Sequence, residues 1–370
     1  MKIQAIDWIL YICCFLLVIF GVVVIYSITY GEADTKNYAV YQIIFAGIGF
    51  LLLFCCSWVD YRFWKALAYP LYGVMLLFLA FLVFTHFGKT TLGATRWINL
   101  GFFQFQPSEL YKIVSLIILA KVCDRKDLKL TNFLFALAIL FIPLILILKQ
   151  PDFGTALIVL LTGMVVIVTA GFNKKYLLVL GSFLVLFSTA VTLSAYSVKP
   201  FSGMLKDYQK QRIHNFINPQ KDVYGTGYNV NQSVIAVGSG GLLGRGLGYG
   251  PQSQLNFIPS KFNDFIFSVA AEAFGFAGGV IMLSLMLFLI LRILKIARLA
   301  KDNFGTILCY GIAAYFIFES LINIGMTMGV MPVTGIPLPL VSYGGTSLWT
   351  ALIAIGICQS VMTRHKKISF

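Results

Sequence analysis

The chain has 370 residues, 59% hydrophobic and only 11% charged, with a formal net charge of +14. Soluble domains carry about 25% charged residues. Successive apolar runs of about 20 residues make this a polytopic membrane protein. The basic residues fall mainly in short loops on one side, which excludes a nucleic-acid reading of the charge.

The hydropathy pattern predicts an all-α polytopic membrane protein with ten spans, at about 7–29, 38–57, 66–86, 106–122, 132–149, 154–171, 176–196, 264–291, 305–328 and 345–363. The whole chain, 1–370, reads as a single membrane domain with one long extracytoplasmic loop, about 197–263, between spans seven and eight. The first run, Trp8 to Ser27, is long enough to span and lacks a small-residue cleavage site, so no cleaved signal peptide is expected. Cys13, Cys14, Cys55, Cys56, Cys123, Cys309 and Cys358 all lie in or beside apolar runs and read as small buried hydrophobes. Alternation groups Lys2, Arg62, Lys65, Lys121, Arg125, Lys126, Lys129, Lys174, Lys175, Arg292, Lys295, Arg298, Lys301, Arg364, Lys366 and Lys367 on one side. The other side carries Lys36, Lys89, Arg96 and Lys149 with Glu32, Asp34 and Asp152. The positive-inside rule then puts both termini in the cytoplasm. No internal repeat is evident, which weakens a transporter built from paired halves.

The unusual residues collect on the outer face. After the third span come Gly93-Ala-Thr-Arg-Trp97 and Gly101-Phe-Phe-Gln-Phe-Gln-Pro-Ser-Glu109. Pro107 suits the first turn of span four, and Glu109 suits the helix dipole there. Lys112 could pair locally with Glu109, and Trp97 could be an interfacial belt residue. Gln150-Pro-Asp-Phe-Gly-Thr155 is a tight turn with Asp152 as a cap. In the long loop, Phe201 to Ile217 places Leu205, Tyr208, Arg212, Ile213 and Phe216 among Lys206, Lys210 and Gln211, which suits a helix on the membrane surface. Arg212 would sit at headgroup depth, where its planar fork can grip phosphate oxygens, either of one specific ligand or of bulk anionic lipid. The second part of the loop is glycine-rich, from Gly225 to Gly250, and allows close backbone approach. Arg245 within it is an anion-binding candidate. The loop closes on Phe257 to Glu272, with Asp264 at the mouth of span eight and Glu272 about 12 Å deeper. Asp264 is either a helix cap or a functional carboxylate, and Glu272 is either structural or functional. Span nine carries Glu319 and Asn323, and Pro332 to Thr346 reads as non-helical backbone at membrane depth.

These stretches resemble the SEDS family (shape, elongation, division and sporulation), its elongation branch more than its division branch. The matching residues are Thr95-Arg-Trp97, Gln106-Pro-Ser-Glu109, Gln150 to Thr155, Asn231-Gln-Ser233, Gly240-Gly241, Gln252-Ser-Gln-Leu255, Asp264-Phe-Ile-Phe267, Asn323 to Met326, Pro332 to Pro339 and Ser342 to Gly345. The resemblance implies a ten-span peptidoglycan glycosyltransferase that polymerises lipid II, with Asp264 as the catalytic aspartate. It further implies a class B penicillin-binding protein and other elongation-complex proteins as partners. Gln232, Ser233, Glu109 and Glu272 are supporting candidates. The chain departs from the family where Pro259-Ser-Lys-Phe-Asn-Asp264 replaces the usual Pro-Glu-x-His-Thr-Asp, and where Glu272-Ala273 replaces a Glu pair.

A carboxylate at the outer mouth can deprotonate a sugar hydroxyl, and nearby cations can stabilise a departing pyrophosphate. Arg96, Lys112, Arg212, Arg245 and Lys261 are the cation candidates. Mg²⁺ or Mn²⁺ assistance is implied by the resemblance alone, and no organic cofactor is expected. The rival readings are a flippase of the lipid-linked precursor and a scaffold of the wall-building complex.

Overall fold

The computed structural model describes residues 6–29, 37–85, 89–91, 94–99, 104–125, 127–198, 201–203, 207–217 and 225–365. The predicted Lys2, Glu32, Asp34, Lys36, Lys126, Leu205, Lys206, Lys366 and Lys367 lie outside the described residues. The long helices follow the predicted order: α1 (Trp8–Thr29), α2 (Tyr38–Trp58), α3 (Tyr61–Thr85), α4 (Pro107–Cys123), α5 (Leu130–Lys149), α6 (Phe153–Thr169), α7 (Lys174–Ala195), α11 (Ile266–Leu299), α12 (Asn303–Thr327) and α13 (Gly345–Thr363). Between α7 and α11 lie the surface helix α8 (Asp207–Ile217), then α9 (Thr226–Ser239) and the one-turn α10 (Pro251–Gln254). Among the described residues, eight helices are long and apolar enough to cross a membrane. Two more, α4 and α6, have 17 residues each, about 26 Å of helix and the short end of a span.

A small sheet was not foreseen. Strands β1 (Lys89–Thr91), β2 (Ala94–Asn99) and β3 (Gln104–Phe105) pair antiparallel, with Lys89 opposite Trp97 and Ile98 opposite Phe105. It covers the segment that the hydropathy pattern reads as a plain loop.

The core centres on α12 and α13, whose apolar windows are 72% and 78% buried, against 11% for α7 at the rim. Exposed Leu178, Val179, Leu186 and Phe187 on α7 are lipid-facing surface. Both ends of the chain meet on one face. There Arg292 makes a forked pair with Asp7, Nε and Nη2 lying 2.9 and 2.6 Å from Oδ2, and the Asp7 amide donates to Gln359 Oε1 at 3.3 Å. Asp7 is only 1% exposed at its side chain. Removing one partner of such a pair strands the other. Arg292→Met is expected to lower stability by about 3 kcal/mol, read as a drop in melting temperature that Asp7→Asn/Arg292→Met together partly restores.

The predicted span at 264–291 is longer and broken. At Gly275 (φ 64°, ψ −162°) α11 leaves helical geometry. In a continuous helix Phe276 and Ala277 would donate to the carbonyls of Glu272 and Ala273. Here those carbonyls accept from the amides of Arg245 and Gly246, at 2.9 and 3.0 Å. The freed amides of Phe276 and Ala277 donate to the carbonyls of Gly241 and Leu242, at 2.8 and 3.0 Å. The glycine-rich segment is thus spliced into the broken helix, satisfying backbone that lipid could not. This differs from the expected outer loop: α9 leads inward, the chain turns against the break, and α10 leads back. The tight backbone contact explains the glycines. A Cβ on Gly240 would come 2.1 Å from the Ala271 carbonyl, and one on Gly244 2.2 Å from that of Ala273.

Candidate active site

Helix α11 begins at Ile266, with Phe265 at its N-cap and no side-chain cap bond. Asp264 therefore lies outside the cap position, and the simple capping reading of this residue does not hold. Its backbone is fixed from three directions. Asn323 Nδ2, on the last turns of α12, donates to the carbonyls of Asp264 at 2.8 Å and Ile336 at 2.7 Å. Ser342 Oγ donates to the Asn263 carbonyl and accepts from the Leu338 amide, both at 2.7 Å. The Tyr343 amide donates to the Phe262 carbonyl at 2.9 Å. Gln42 of α2 then holds the 332–344 loop, donating to the Ser342 carbonyl at 3.1 Å and accepting from the Gly344 amide at 3.3 Å. That loop is non-helical, as expected, and turns at Gly335 (φ +72°), where an added Cβ would lie 3.5 Å from Asp264 Oδ2. Asp264 is half-buried. Asn323 sits about 20 residues, or about 30 Å, along α12 from the face that carries the termini. This puts Asp264 at the opposite edge of a hydrocarbon layer about 30 Å thick.

Below it, Glu272 is fully buried. Its Oε1 and Oε2 accept the amides of Gln252 and Ser253 at 2.9 and 3.0 Å, so the carboxylate caps the one-turn helix α10. Gly250 makes the cradle, since a Cβ there would come 2.4 Å from Glu272 Oε2. Lys261 is buried too, and its Nζ donates to the Ser253 carbonyl at 2.8 Å. Glu272 and Lys261, the latter three residues before Asp264, thus grip the turn of α10 from opposite ends.

The other cation candidates are dispersed. Arg96 on β2 donates through Nε to the Gln150 carbonyl at 2.9 Å and through Nη2 to the Pro151 carbonyl, pinning the sheet to the 150–152 turn. Asp152 caps α6 as expected, accepting the Thr155 amide at 3.2 Å, and also accepts from Gln106 Nε2 at 2.9 Å and Ser108 Oγ at 3.2 Å. Lys112 is not on the outer face. It is 2% exposed inside the bundle, paired with Glu109 at 2.8 Å and with Glu319 at 2.5 Å. The local Glu109–Lys112 pair was legible, whereas its second carboxylate comes from a helix 207 positions away. Arg245 is exposed at the tip of the spliced segment, its Nε donating to the Ser239 carbonyl at 3.0 Å. Arg212 lies in α8, but its side chain, like that of Tyr208, is outside the described residues. Ser233 Oγ donates to the Thr327 carbonyl at 2.7 Å, tying α9 to the end of α12, and Gln232 beside it is half-buried. Gln42 and Ser342 were missed as organisers of the loop. The available signal was an uncharged polar side chain in an otherwise apolar span.

Among the described residues no group of three or more His, Cys, Asp or Glu side chains could hold a metal ion. Mg²⁺ is usually held by one or two carboxylates together with substrate phosphates and water, and Asp264 is the carboxylate at the mouth that would take part.

A profile of the FtsW/RodA/SpoVE family, described as "Cell cycle protein", matches residues 7–367. The probable peptidoglycan glycosyltransferase FtsW of Geobacter sulfurreducens is 35% identical over 375 residues, covering 99% of this chain and 97% of the relative. The peptidoglycan glycosyltransferase MrdB of Escherichia coli K12 is also 35% identical, over 355 residues, covering 95% and 92%. Among solved structures, one concerned with polymerization and crosslinking by a peptidoglycan synthase complex aligns at TM-score 0.79 and 30% identity, covering 97% of this chain and 98% of that one. The rod shape determining protein RodA of Thermus thermophilus aligns at 0.72 and 29%, covering 99% and 100%.

Proposed function

The chain belongs to the FtsW/RodA/SpoVE (SEDS) family, and from that premise we propose that it is a multi-pass membrane peptidoglycan glycosyltransferase that polymerises lipid II, with Asp264 as its general base. The observation that carries this reading is a half-buried aspartate whose backbone is fixed by Asn323, Ser342 and Tyr343 at the edge of the bundle, beside a mostly buried non-helical loop. Asp264 takes the proton of the acceptor sugar hydroxyl. The hydroxyl oxygen attacks the donor's anomeric carbon, and the bond to the undecaprenyl pyrophosphate breaks with its electrons going to the phosphate oxygen. That leaving group needs positive charge and no acid catalyst. Arg212 of the surface helix supplies it, whereas Arg245, whose amide donates to the Glu272 carbonyl at the inward turn of the spliced segment, lies deeper than Asp264. Arg96 contributes whatever its backbone-bound guanidinium can still reach. Lys112 and Lys261, buried on carboxylates and a carbonyl, act on the site through its framework. The hydrocarbon of the substrate has an apolar crease of about 250 Å³ between α9 and α11, lined by Val237, Gly241, Phe267, Ala271, Gly279 and Leu283.

Both termini face the cytoplasm by the positive-inside rule, so Asp264 works on the extracytoplasmic side. A class B penicillin-binding protein supplies crosslinking. This partner fits the likeness to a chain of a peptidoglycan synthase complex. The Gln252-Ser-Gln-Leu255 run favours the elongation, RodA-like branch.

Complementation tests the reading. The chain is expected to restore rod shape to a bacterium depleted of its elongation polymerase, and Asp264→Ala at equal protein level to fail. Rescue by Asp264→Ala would make the protein a scaffold, and rescue of division instead of shape would move it to the other branch. Gly250→Ala tests the framework. It pushes on Glu272 without touching Asp264, and is expected to lower kcat about tenfold at nearly unchanged KM, since misplacement away from the chemistry acts on the transition state. Initial rates against lipid II concentration would show it.

A further inference from the structure

The bundle interior holds a cluster of charges that the proposed chemistry does not use. Lys112 Nζ of α4 lies between Glu109 and Glu319, and the three side chains are 2%, 5% and 0% exposed. Fully ionised, the cluster would carry a net charge of −1 in the interior of a membrane protein, where isolated charge is so costly that groups neutralise instead. No second cation reaches it among the described residues. Helix α6, packed on α4 and α12, carries no ionisable side chain. Glu272 of α11 has both oxygens on backbone amides. Cys358 of α13, Tyr228 of α9, and Tyr72 of α3 against Tyr111 add no cation, and Arg96 of β2 is held on Asp152 and the Gln150 carbonyl. Lys149 of α5 is exposed at its helix end, and Lys121 and Arg292 sit toward the terminal face.

A second observation points the same way. Glu319 Oε2 and the Tyr315 hydroxyl are buried without a well-formed hydrogen bond among the described residues, and the Tyr315 ring lies 5.4 Å from Lys112 Nζ. The Lys112 ammonium and the Tyr315 hydroxyl hold four donor hydrogens for four carboxylate oxygens, yet Glu319 Oε2 takes none of them in good geometry. A carboxyl that carries a proton becomes a donor itself.

We propose that the Glu109–Lys112–Glu319 cluster binds one proton beyond the lysine's, held on the carboxyl pair, so that the bundle core is neutral. The site has a route to function. Asn323, one turn along α12 from Glu319, holds the carbonyls of Asp264 and Ile336. Loss of the proton sets Glu109 against Glu319 across α4 and α12, about 6 Å below that anchor by helix rise. The proton thus holds together the two helices that support the catalytic loop.

The test needs no polymerisation, so it stands apart from the polymerase reading. Infrared spectra of the purified protein in lipid nanodiscs are expected to show a protonated carboxyl band at neutral pH that Glu319→Gln or Glu109→Gln removes. The folded protein holds a proton that the unfolded chain releases, so stability falls as pH rises. The wild-type melting temperature is expected to fall as pH rises above about 4.3, where an unfolded Glu has given up its proton, until the folded cluster loses its own, with a flatter curve in Glu319→Gln. Each single Gln variant should accumulate normally, whereas Glu109→Gln/Glu319→Gln together strands Lys112 and should not. A band unchanged in both single variants would overturn the proposal. So would single Gln variants that are as unstable as the double variant.

Discussion

Gly275→Ala is expected to destabilise the protein by about 3 kcal/mol or more, with a large loss of folded protein in the membrane. The backbone there has φ 64° and ψ −162°, a region open essentially to glycine, and another residue held in it costs about 1–3 kcal/mol. An added Cβ would also come 2.3 Å from the Gly244 nitrogen and 2.7 Å from the Leu242 carbonyl. These are backbone atoms of the spliced segment and cannot rotate away. Moving them opens the exchanged bonds of Arg245, Gly246, Phe276 and Ala277 in a setting without water to replace them. Gly279, one turn further on, is the control. Nothing lies within 4 Å of a Cβ there, so Gly279→Ala should stabilise the helix by about 0.5–1 kcal/mol. Melting temperatures of the two variants in the same nanodiscs should move in opposite directions. Equal shifts would mean that the splice carries no stability.

Asp264→Asn is expected to lower the rate of glycan chain extension by about 100- to 10,000-fold, the range that general acid–base catalysis contributes. The substitution keeps size and removes the acceptor of the proton. Asn323 and Ser342 hold Asp264 and Asn263 through backbone carbonyls, so the loop should stay in place and the melting temperature should change little. Single-turnover rates at saturating lipid II would separate a lost base from lost binding. A rate within threefold of wild type would remove Asp264 from the chemistry.

Much of this architecture was legible because hydrocarbon thickness sets the length of each apolar run. Spans with plain ends, such as α1, α2 and α13, fall within a few residues of their predicted bounds. Pro107 and Asp152 announced the starts of α4 and α6 through local capping chemistry. Asp264 was singled out by its motif at a loop-to-helix junction, and the structure places it half-buried at the edge of the bundle. The break in α11 was not, because Gly275 lies within an unbroken apolar run and its partners, Gly241 to Gly246, are about 30 positions away. Hydrophobic periodicity reports which way a helix faces and is silent on backbone exchange between segments. Lys112 was read as an outer-face cation for a similar reason. Sequence spacing revealed Glu109 three residues before it, while Glu319 is joined to it only by the packing of α4 on α12. Lys261 looked like a surface cation beside the motif, and only the fold shows its amine turned onto the Ser253 carbonyl.

The most direct test of the central claim places the purified protein in sealed vesicles with fluorescent lipid II in the outer leaflet, with its penicillin-binding partner present but blocked at the transpeptidase site. The account predicts glycan polymer from the wild-type protein, none above background from Asp264→Asn, and no protein-dependent movement of lipid II to the inner leaflet. Lipid II crossing the bilayer without any polymer formed would contradict the account and identify the protein as a flippase.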